Sequence, residues 1–323
     1  MNKRRKLVVA LACGLLAVKA AAAADYPMKP IRLIVPSAAG GTPDLQARLL
    51  ANELSKQMGQ QVVVDNRGGA SGIVGYETIA RAAPDGYTFG YATFSFITIP
   101  SVFAKLPYDT ERDFAPVVRN SSSPNLLTVS PALPVRSVQE LVEYARAQPG
   151  KLSYGSAGAG TSQQLSLELF KIMTGTQIVQ VSYKGIQQAT TDAIAGQVHI
   201  ICDNSTSILP HIRAGRLRAI GVTSLIRTPV APDIPTIAES GVPGYEMAPS
   251  SGYVMPAHTP RDIVLRLNAE INKALRSPVV SEKFVAAGST IAGGTPGQFA
   301  EHVRRETAKW AEVIKAAGIK PQY

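Results

Sequence analysis

Short apolar strand patterns alternate with helical patterns along almost the whole chain of 323 residues. Such alternation is typical of an α/β protein, because each helix connects two parallel strands of one sheet. The strand patterns form two groups, at 31–35, 61–64 and 87–93, and then at 126–129, 152–154, 178–181, 199–202 and 217–222. Helices are predicted at 43–58 and 73–81, from near 137, 161 and 187, and later from 259 and 295. Two groups of strands predict two sheets, and therefore two lobes.

Two polar segments, 120–124 and 223–229, mark the places where the chain is expected to cross between the lobes. The first lobe would then combine residues 25–122 with 226–323, and the second lobe, residues 123–225, would be inserted into it. Because paired crossings of this kind form a hinge, the sequence predicts a cleft that opens and closes.

The first 24 residues, 1–24, have the pattern of a secretory signal peptide. A basic segment (3–6) precedes an apolar segment (7–18), and the small-residue cleavage site Ala22-Ala-Ala24 follows them. The apolar segment is too short to span a membrane, and no later stretch reaches about 18 uninterrupted apolar residues, so we expect the exported protein to be soluble. Cys202 is the only cysteine after residue 24, which excludes a disulfide within the exported chain.

The formal net charge of +10 comes from 33 Lys and Arg residues against 23 Asp and Glu residues. Half of this excess lies in the predicted signal peptide, and the other charges are scattered along the chain. This distribution argues against a nucleic-acid partner, which would require a basic cluster. The modest positive charge of the exported chain favours anionic ligands.

The strand at 31–35 runs directly into a loop of small residues and then into a helix start. Thr42 is the predicted N-cap and Pro43 the first helical residue. The unpaired N–H groups and the positive dipole end of such a helix attract an anion, and small side chains let that anion approach the backbone at Ser37, Ala38, Ala39, Gly40 and Gly41. The loop has neither a G-x-x-x-x-G-K-[ST] nor a G-x-G-x-x-G motif, so we expect a carboxylate rather than a phosphate or a dinucleotide. An ordinary strand-to-helix turn is the alternative.

A second loop of small residues, 154–162, again joins a strand to a helix, but in the second lobe. Its glycines permit tight backbone turns, and its hydroxyls and the N–H groups of the helix can donate to an anion. The candidate binding residues of this loop are Ser156, Ala157, Gly158, Gly160, Thr161 and Ser162. Two such loops in two lobes predict a cleft that closes on an acid with one or two carboxylates.

Three more segments follow predicted strands and are candidate walls of the cleft, because ligands of open α/β sheets bind beyond the carboxyl ends of the strands. They are 93–96, with Thr93, Ser95 and Phe96, then 182–185, with Tyr183 and Lys184, and 202–204, with Asp203. Tyr183 can donate a hydrogen bond or stack on a ligand, Lys184 can pair with a carboxylate, and Asp203 can accept from a hydroxyl or an ammonium group. The alternatives are structural: packing for Tyr183, solvation for Lys184 and a helix cap for Asp203.

No catalytic or metal-binding pattern occurs in the sequence. The four histidines are far apart without metal-ligand spacing, and there is no G-x-S-x-G nucleophile motif. Cys202 has no evident partner and is predicted to be buried and inert. We therefore predict no enzyme activity, no metal and no cofactor.

Ordered motifs along the chain resemble the solute receptors of the tripartite tricarboxylate transporter family, often called Bug receptors. The resemblance covers essentially all of the chain after residue 24. It rests on Tyr26-Pro27, Lys29-Pro30, 35–44 (VPSAAGGTPD), 66–70 (NRGGA), 84–87 (PDGY), Tyr108-Asp109, 113–117 (DFAPV), 154–158 (YGSAG), 183–185 (YKG), 210–215 (PHIRAG), Pro235-Thr236, 239–241 (ESG) and Thr259-Pro260.

The resemblance implies a type II periplasmic-binding-protein fold, in which two α/β lobes close over a ligand. It implies a periplasmic receptor that holds a small carboxylate mainly by backbone amides, hydroxyls and ordered waters, and delivers it to a membrane transporter with a large and a small subunit. By position, it implies that loop 37–41 with Asp44 and loop 156–162 bind the ligand, and that Tyr183 and Asp203 line the cleft. A sensor subunit that presents its ligand to a signalling partner, or an enzyme on the same lobes, is the alternative function.

Several positions depart from the residues usual in that family. Gln164 stands in place of a common His, Ser182 in place of a Pro, and 249–252 (PSSG) lacks an aromatic residue before the glycine. The segment 94–96 (FSF) is also more aromatic than usual. An aromatic ligand would have room to stack on Phe94 or Phe96, so these departures predict a carboxylate with an aromatic or apolar body that contacts Phe96.

Overall fold

A computed structural model describes residues 26–316, 318, 319 and 321. The predicted signal peptide lies outside the described residues. Within them the chain is a mixed α/β structure with two separate sheets, which confirms the predicted fold class. No helix in this part of the chain is long and apolar enough to cross a membrane.

Most of the secondary structure elements begin and end close to the positions that the hydrophobic patterns predict. In chain order they are β1 (Ile31–Val35), α1 (Thr42–Met58), β2 (Val62–Asn66), α2 (Ile73–Ala80), β3 (Thr88–Ala92), α3 (Phe94–Val102), β4 (Phe114–Ser122), β5 (Asn125–Val129), α4 (Val138–Ala147), β6 (Ser153–Ser156), α5 (Ser162–Thr174), β7 (Val179–Ser182), α6 (Ile186–Ile194), β8 (Ile200–Asn204), α7 (Ser205–Arg213), β9 (Arg218–Val222), β10 (Ser250–Pro256), α8 (Arg261–Arg276), α9 (Pro278–Ala286), β11 (Thr290–Gly293) and α10 (Pro296–Ala316). The sequence patterns did not reveal β4, β10, β11, α3 or α9.

The first sheet has six strands in the order β11-β4-β10-β3-β1-β2. Strand β1 pairs in parallel with β2 and β3, whereas β10 is antiparallel to both β3 and β4. In the register of these pairs, Ala92 lies opposite Gly252, and Ser122 lies opposite Ser250. The ends of β1, β3 and β4 and the start of β10 therefore lie along the same edge of the sheet.

The second sheet has five strands in the order β7-β6-β8-β5-β9. Strand β6 is parallel to β7 and β8, whereas β5 is antiparallel to β8 and β9. Asn125 at the start of β5 lies opposite Asn204 at the end of β8. The ends of β6 and β8 thus also share one edge, from which α5 and α7 begin.

Helices cover both faces of each sheet, as expected for sheets with parallel strands. Helices α1 and α8 pack on one face of the first sheet, and α2, α3 and α10 pack on the other. The second sheet is covered by α4 and α5 on one face and by α6 and α7 on the other.

Helices α3 and α10 contribute to the cores of both sheets. Phe96 and Ile99 of α3 pack in the core of the first sheet with Phe299 and Val303 of α10. The opposite sides of the same helices reach the core of the second sheet, where Phe94 meets Trp310 edge to face at a ring-centroid distance of 5.0 Å. Both helices therefore run between the two cores.

The chain leaves the second sheet later than the predicted crossing at 223–229. Thr236 forms a β-bridge with Val222, and the N–H of Met247 donates to the carbonyl of Thr223 at 2.8 Å. Ile237, Val242, Tyr245 and Met247 are buried in the core of the second sheet. The predicted boundary at residue 226 is therefore wrong, because a polar loop there returns to the same sheet before the chain enters β10.

Candidate functional site

A cavity of about 130 Å³ lies between the two sheets, at the edges where β1, β3, β6 and β8 end. The N-terminal ends of α1, α3, α5, α6 and α7 all converge on it. A side chain caps one N–H group at the start of α3, α5 and α7. The remaining N–H groups and the positive dipole ends of the five helices create a positive potential. Lys184, which is exposed, is the only Lys or Arg that lines this cavity in the described part of the chain.

The structure brings residues from both predicted loops and from all three predicted walls to this one cavity, and Lys184 is the lining residue of the wall at 182–185. Those that line it are Ser37, Ala38, Gly41, Thr93, Ser95, Ala157, Thr161, Ser162 and Asp203. The other predicted residues do not line it: they are Ala39, Gly40, Asp44, Phe96, Ser156, Gly158, Gly160 and Tyr183.

Gly40 and Asp44 shape the first loop rather than line the cavity. The N–H of Gly40, in a residue with φ of +85°, donates to Asp44 Oδ2 at 2.9 Å. Although burial opposes ionisation, hydrogen bonds from Arg48 and Gly40 lower the pKa of Asp44. The predicted N-cap Thr42 is instead the first helical residue, and Gly41 is the N-cap without any side-chain bond. Because Gly41 offers no side-chain acceptor, the next N–H groups of α1 are not capped.

The second loop is held by its own polar side chains. Thr161 is the N-cap of α5, and its hydroxyl donates to the carbonyl of Gly158 at 2.7 Å. Ser156 is fully buried and accepts from Gln180 Nε2 at 2.8 Å. The N–H of Gly160 donates to Gln164 Oε1 at 2.7 Å. Gln164, which departs from the usual family residue, therefore supports the loop from behind.

Phe96, which is predicted to contact the ligand, does not line the cavity. Phe96 is only 2% exposed and packs between Tyr76 and Phe114, at ring-centroid distances of 5.3 and 5.1 Å. The segment after β3 is the first turn of α3, in which neighbouring side chains point in different directions. Thr93 caps this helix, and Phe94, rather than Phe96, reaches the cavity.

Tyr183 points away from the cavity, contrary to the prediction. Its hydroxyl donates to Asp192 Oδ2 at 2.8 Å, and burial together with this carboxylate raises the pKa of Tyr183 to about 12. Tyr183 therefore anchors the loop before α6 to the later part of that helix.

Asp203 at the end of β8 lines the cavity and is 2% exposed. Oδ1 accepts from Gln163 Nε2 at 2.7 Å, and Oδ2 accepts from the hydroxyl of Ser207. Burial raises the pKa of this carboxyl group. Since both oxygens already have donors, Asp203 holds Gln163 in the wall of the cavity.

The first sheet and α1 together build a polar floor of the cavity, which the sequence patterns do not predict. Tyr91 donates its hydroxyl to Gln46 Oε1 at 2.6 Å, and Asn120 donates to the same oxygen at 2.8 Å. Ser123 donates to the hydroxyl of Ser289 at 2.6 Å. The floor residues that line the cavity are Gln46, Tyr91, Ser121, Ser123, Ser250 and Ser251. The serine-rich segments at 120–124 and 249–252 are the sequence signals of this floor, although 120–124 predicts a lobe crossing and 249–252 stands out only for lacking an aromatic residue.

Residues from the two sheets touch each other across the cavity. Gln187 of α6 lies against Gly41, where an added Cβ would be 2.9 Å from Gln187 Nε2. An added Cβ at Gly185 would be 2.8 Å from the side chain of Ala38. The hydroxyl of Thr42 lies 3.4 Å from Asn204 Oδ1. These contacts describe a closed cleft.

Chemically reactive groups are few around this cavity. Cys202 is 1% exposed, and burial raises the pKa of its thiol to about 12, which agrees with the predicted inert thiol. In the part of the chain that the structure describes, no group of three or more His, Cys, Asp and Glu side chains is placed to hold a metal ion. The cavity instead presents backbone N–H groups, hydroxyls and amides.

Comparisons with known proteins agree with this geometry. A family model described as "Tripartite tricarboxylate transporter family receptor" matches residues 46–319. BugT of Bordetella pertussis is 36% identical over 324 residues, covering 99% of each chain. The structure of Rpa4515 from R. palustris with adipate has a TM-score of 0.90 and 41% identity, covering 92% of this chain and 100% of that one. MatC from Rhodopseudomonas palustris with bound malate has a TM-score of 0.85 and 30% identity, covering 90% of this chain and 100% of MatC. The chain therefore belongs to the tripartite tricarboxylate transporter family of receptors, and it has their two-lobed α/β fold.

Proposed function

We propose that this chain is a periplasmic receptor that binds a small aliphatic dicarboxylate between its lobes and delivers it to a membrane transporter. The observation that carries this proposal is the convergence of five helix N-terminal ends on one cavity lined by a single lysine. Such a site favours negative charge and spreads it over many weak donors. The relatives support the choice of ligand, since Rpa4515 holds adipate and MatC holds malate.

The two lobes offer separate anion-binding ends to such a ligand. Ser37, Ala38 and Gly41 belong to the first lobe, and Thr161 and Ser162 belong to the second. A dicarboxylate that contacts both ends stabilises the closed cleft, because it binds that form better than the open form. We propose that the hinge consists of the two crossings near 122–125 and 247–250.

The burial of Phe96 removes the contact on which the expectation of an aromatic ligand rested. The lining combines apolar groups, such as Phe94, Ile186 and Pro249, with serines, threonines and amides. We propose an aliphatic rather than an aromatic acid because the relatives Rpa4515 and MatC hold adipate and malate.

The periplasmic location and the transporter partner rest on family membership together with the predicted signal peptide at 1–24. The test of the function is calorimetric titration of the purified chain from residue 25 onward with adipate, malate, citrate and benzoate. We expect adipate or malate to bind most tightly and to raise the thermal midpoint, since ligand at 100 times its Kd contributes about 2.7 kcal/mol. Binding of benzoate alone, or of none of the four acids, would contradict the proposed ligand class.

A further inference from the structure

A buried histidine lies directly behind a serine of the cavity floor. Ser250, at the start of β10, lines the cavity and is 6% exposed. Its hydroxyl oxygen lies 2.7 Å from Nε2 of His302, a buried residue of α10. On its other side, Nδ1 of His302 lies 3.1 Å from a terminal guanidinium nitrogen of Arg305. The three side chains form a chain of hydrogen bonds that ends at the cavity.

The direction of these hydrogen bonds follows from the chemistry of the groups. A guanidinium group has only donors, so Nδ1 of His302 must accept from Arg305. The ring proton of the neutral imidazole is then on Nε2, from which it donates to the Ser250 oxygen. Burial and the nearby Arg119 lower the pKa of His302 to about 4, so the ring is neutral near neutral pH.

The hydroxyl proton of Ser250 is consequently available to a ligand. The Ser250 oxygen already accepts from His302, and within the described residues no acceptor is hydrogen-bonded to its proton. The charged groups around the histidine are Arg305 and Glu306 on α10 and Arg119 on β4. Within the described residues, Arg119 Nε is buried and has no hydrogen-bond partner. Two guanidinium groups against one carboxylate make the potential behind Ser250 positive, which favours an anionic acceptor in front of it.

We propose that Arg305 and His302 are positioning residues that hold the Ser250 hydroxyl as a hydrogen-bond donor to a carboxylate oxygen of the bound ligand. This inference rests on the proposed function, because it assigns one donor of the same cavity. It assigns a binding contact to Ser250 of the segment 249–252.

Affinity measurements on single and double variants test the coupling. With adipate and malate as probes, we expect Ser250→Ala to weaken binding about tenfold, because hydrogen bonds to charged groups contribute about 1.5 kcal/mol or more. His302→Leu should weaken binding to a similar extent, whereas His302→Gln should bind within about threefold of the wild type, since its amide still donates to Ser250. In a Ser250→Ala background, His302→Leu should have no further effect on affinity.

The matched control is His199→Leu. His199 also contacts a serine hydroxyl, that of Ser153 at 3.0 Å, but neither residue lines the cavity. This variant should keep the wild-type affinity. If His302→Leu weakens binding equally with and without Ser250, the histidine has only a structural role and the inference is overturned.

A second measurement does not depend on the ligand. Nitrogen NMR of the ligand-free protein, with the His302 signal assigned by its loss in His302→Gln, should show a neutral ring protonated at Nε2 near neutral pH. A proton on Nδ1 would overturn the inference. If the wild type binds neither adipate nor malate, the proposed function fails, and the position of the ring proton still decides whether the hydroxyl is held as a donor.

Discussion

The contact between Gly41 and Gln187 allows a test of whether the first loop and α6 must meet when the ligand binds. Gly41 has φ of −81° and ψ of 170°, which any residue can adopt, so Gly41→Ala creates no backbone strain. The added methyl group would lie 2.9 Å from Gln187 Nε2 and 3.6 Å from Pro43 Cδ. Since comfortable contacts begin at about 3.5 Å, the end of the Gln187 side chain must move by roughly 0.6 Å.

The expected cost is small and falls on the closed form. Overpacking costs about 1–3 kcal/mol, and a flexible amide end puts this case near about 1 kcal/mol. Because the two residues belong to different lobes, the open form avoids the clash. We therefore expect about fivefold weaker binding of the carboxylate, with the stability of the ligand-free protein unchanged.

Titration calorimetry and thermal unfolding of four variants test whether Gly41→Ala weakens binding through the contact with Gln187. Gly297→Ala is the matched control, since the nearest atom to its added Cβ is 4.0 Å away. The double variant Gly41→Ala with Gln187→Ala should bind as well as Gln187→Ala alone, because the clash is gone. If Gly41→Ala weakens binding equally in both backgrounds, its effect comes from the ligand or the loop itself, and the reasoning about closure is refuted.

Three further predictions concern single residues. Phe96→Ala should lower the free energy of unfolding by about 3–5 kcal/mol in denaturant titrations, with no preferential loss of aromatic ligands, because the ring is a core group. Burial and Arg119 lower the pKa of His302 from 6.5 to about 4, so the unfolded chain binds the extra proton between these values. Stability should therefore fall as the pH falls through this window, by about 3 kcal/mol more in the wild type than in His302→Gln. Asp44→Ala should weaken ligand binding by reshaping the first loop, since Gly40 loses its acceptor; unchanged affinity would show that the loop keeps its shape without this bond.

The two binding loops could be predicted from the sequence because each is a local pattern. A strand, a run of small residues and a helix start lie within about 15 consecutive residues, and the helix end itself supplies the chemistry. The floor could not be predicted in this way. Gln46, Tyr91, Ser121 and Ser250 are far apart in the sequence, and only the order of strands in the first sheet brings them together.

The errors at Phe96 and Tyr183 have a common physical cause. Both residues follow strands that end at the cavity, but the direction of a side chain depends on the next element. A helix begins at Phe94, which turns Phe96 toward Tyr76 and Phe114. The hydroxyl of Tyr183 donates to Asp192, which lies more than one turn into α6, and therefore points away from the cavity. The residues that Phe96 and Tyr183 contact cannot be recognised from the sequence immediately around these two positions.

The dual packing of α3 and α10 limits how this protein can be divided or recombined. A fragment cut at the crossings would lose Phe94, Ile97 and Val102 as well as Trp310 and Ile314 from the core that surrounds the second sheet. The exposed interior would then be large and apolar, and such surfaces cause aggregation. Chimaeras that exchange the second lobe between related receptors should therefore transfer the facing residues of α3 and α10 with it. The strands of the second sheet come from one continuous stretch of chain, but its hydrophobic core includes residues of α3 and α10, which lie outside that stretch.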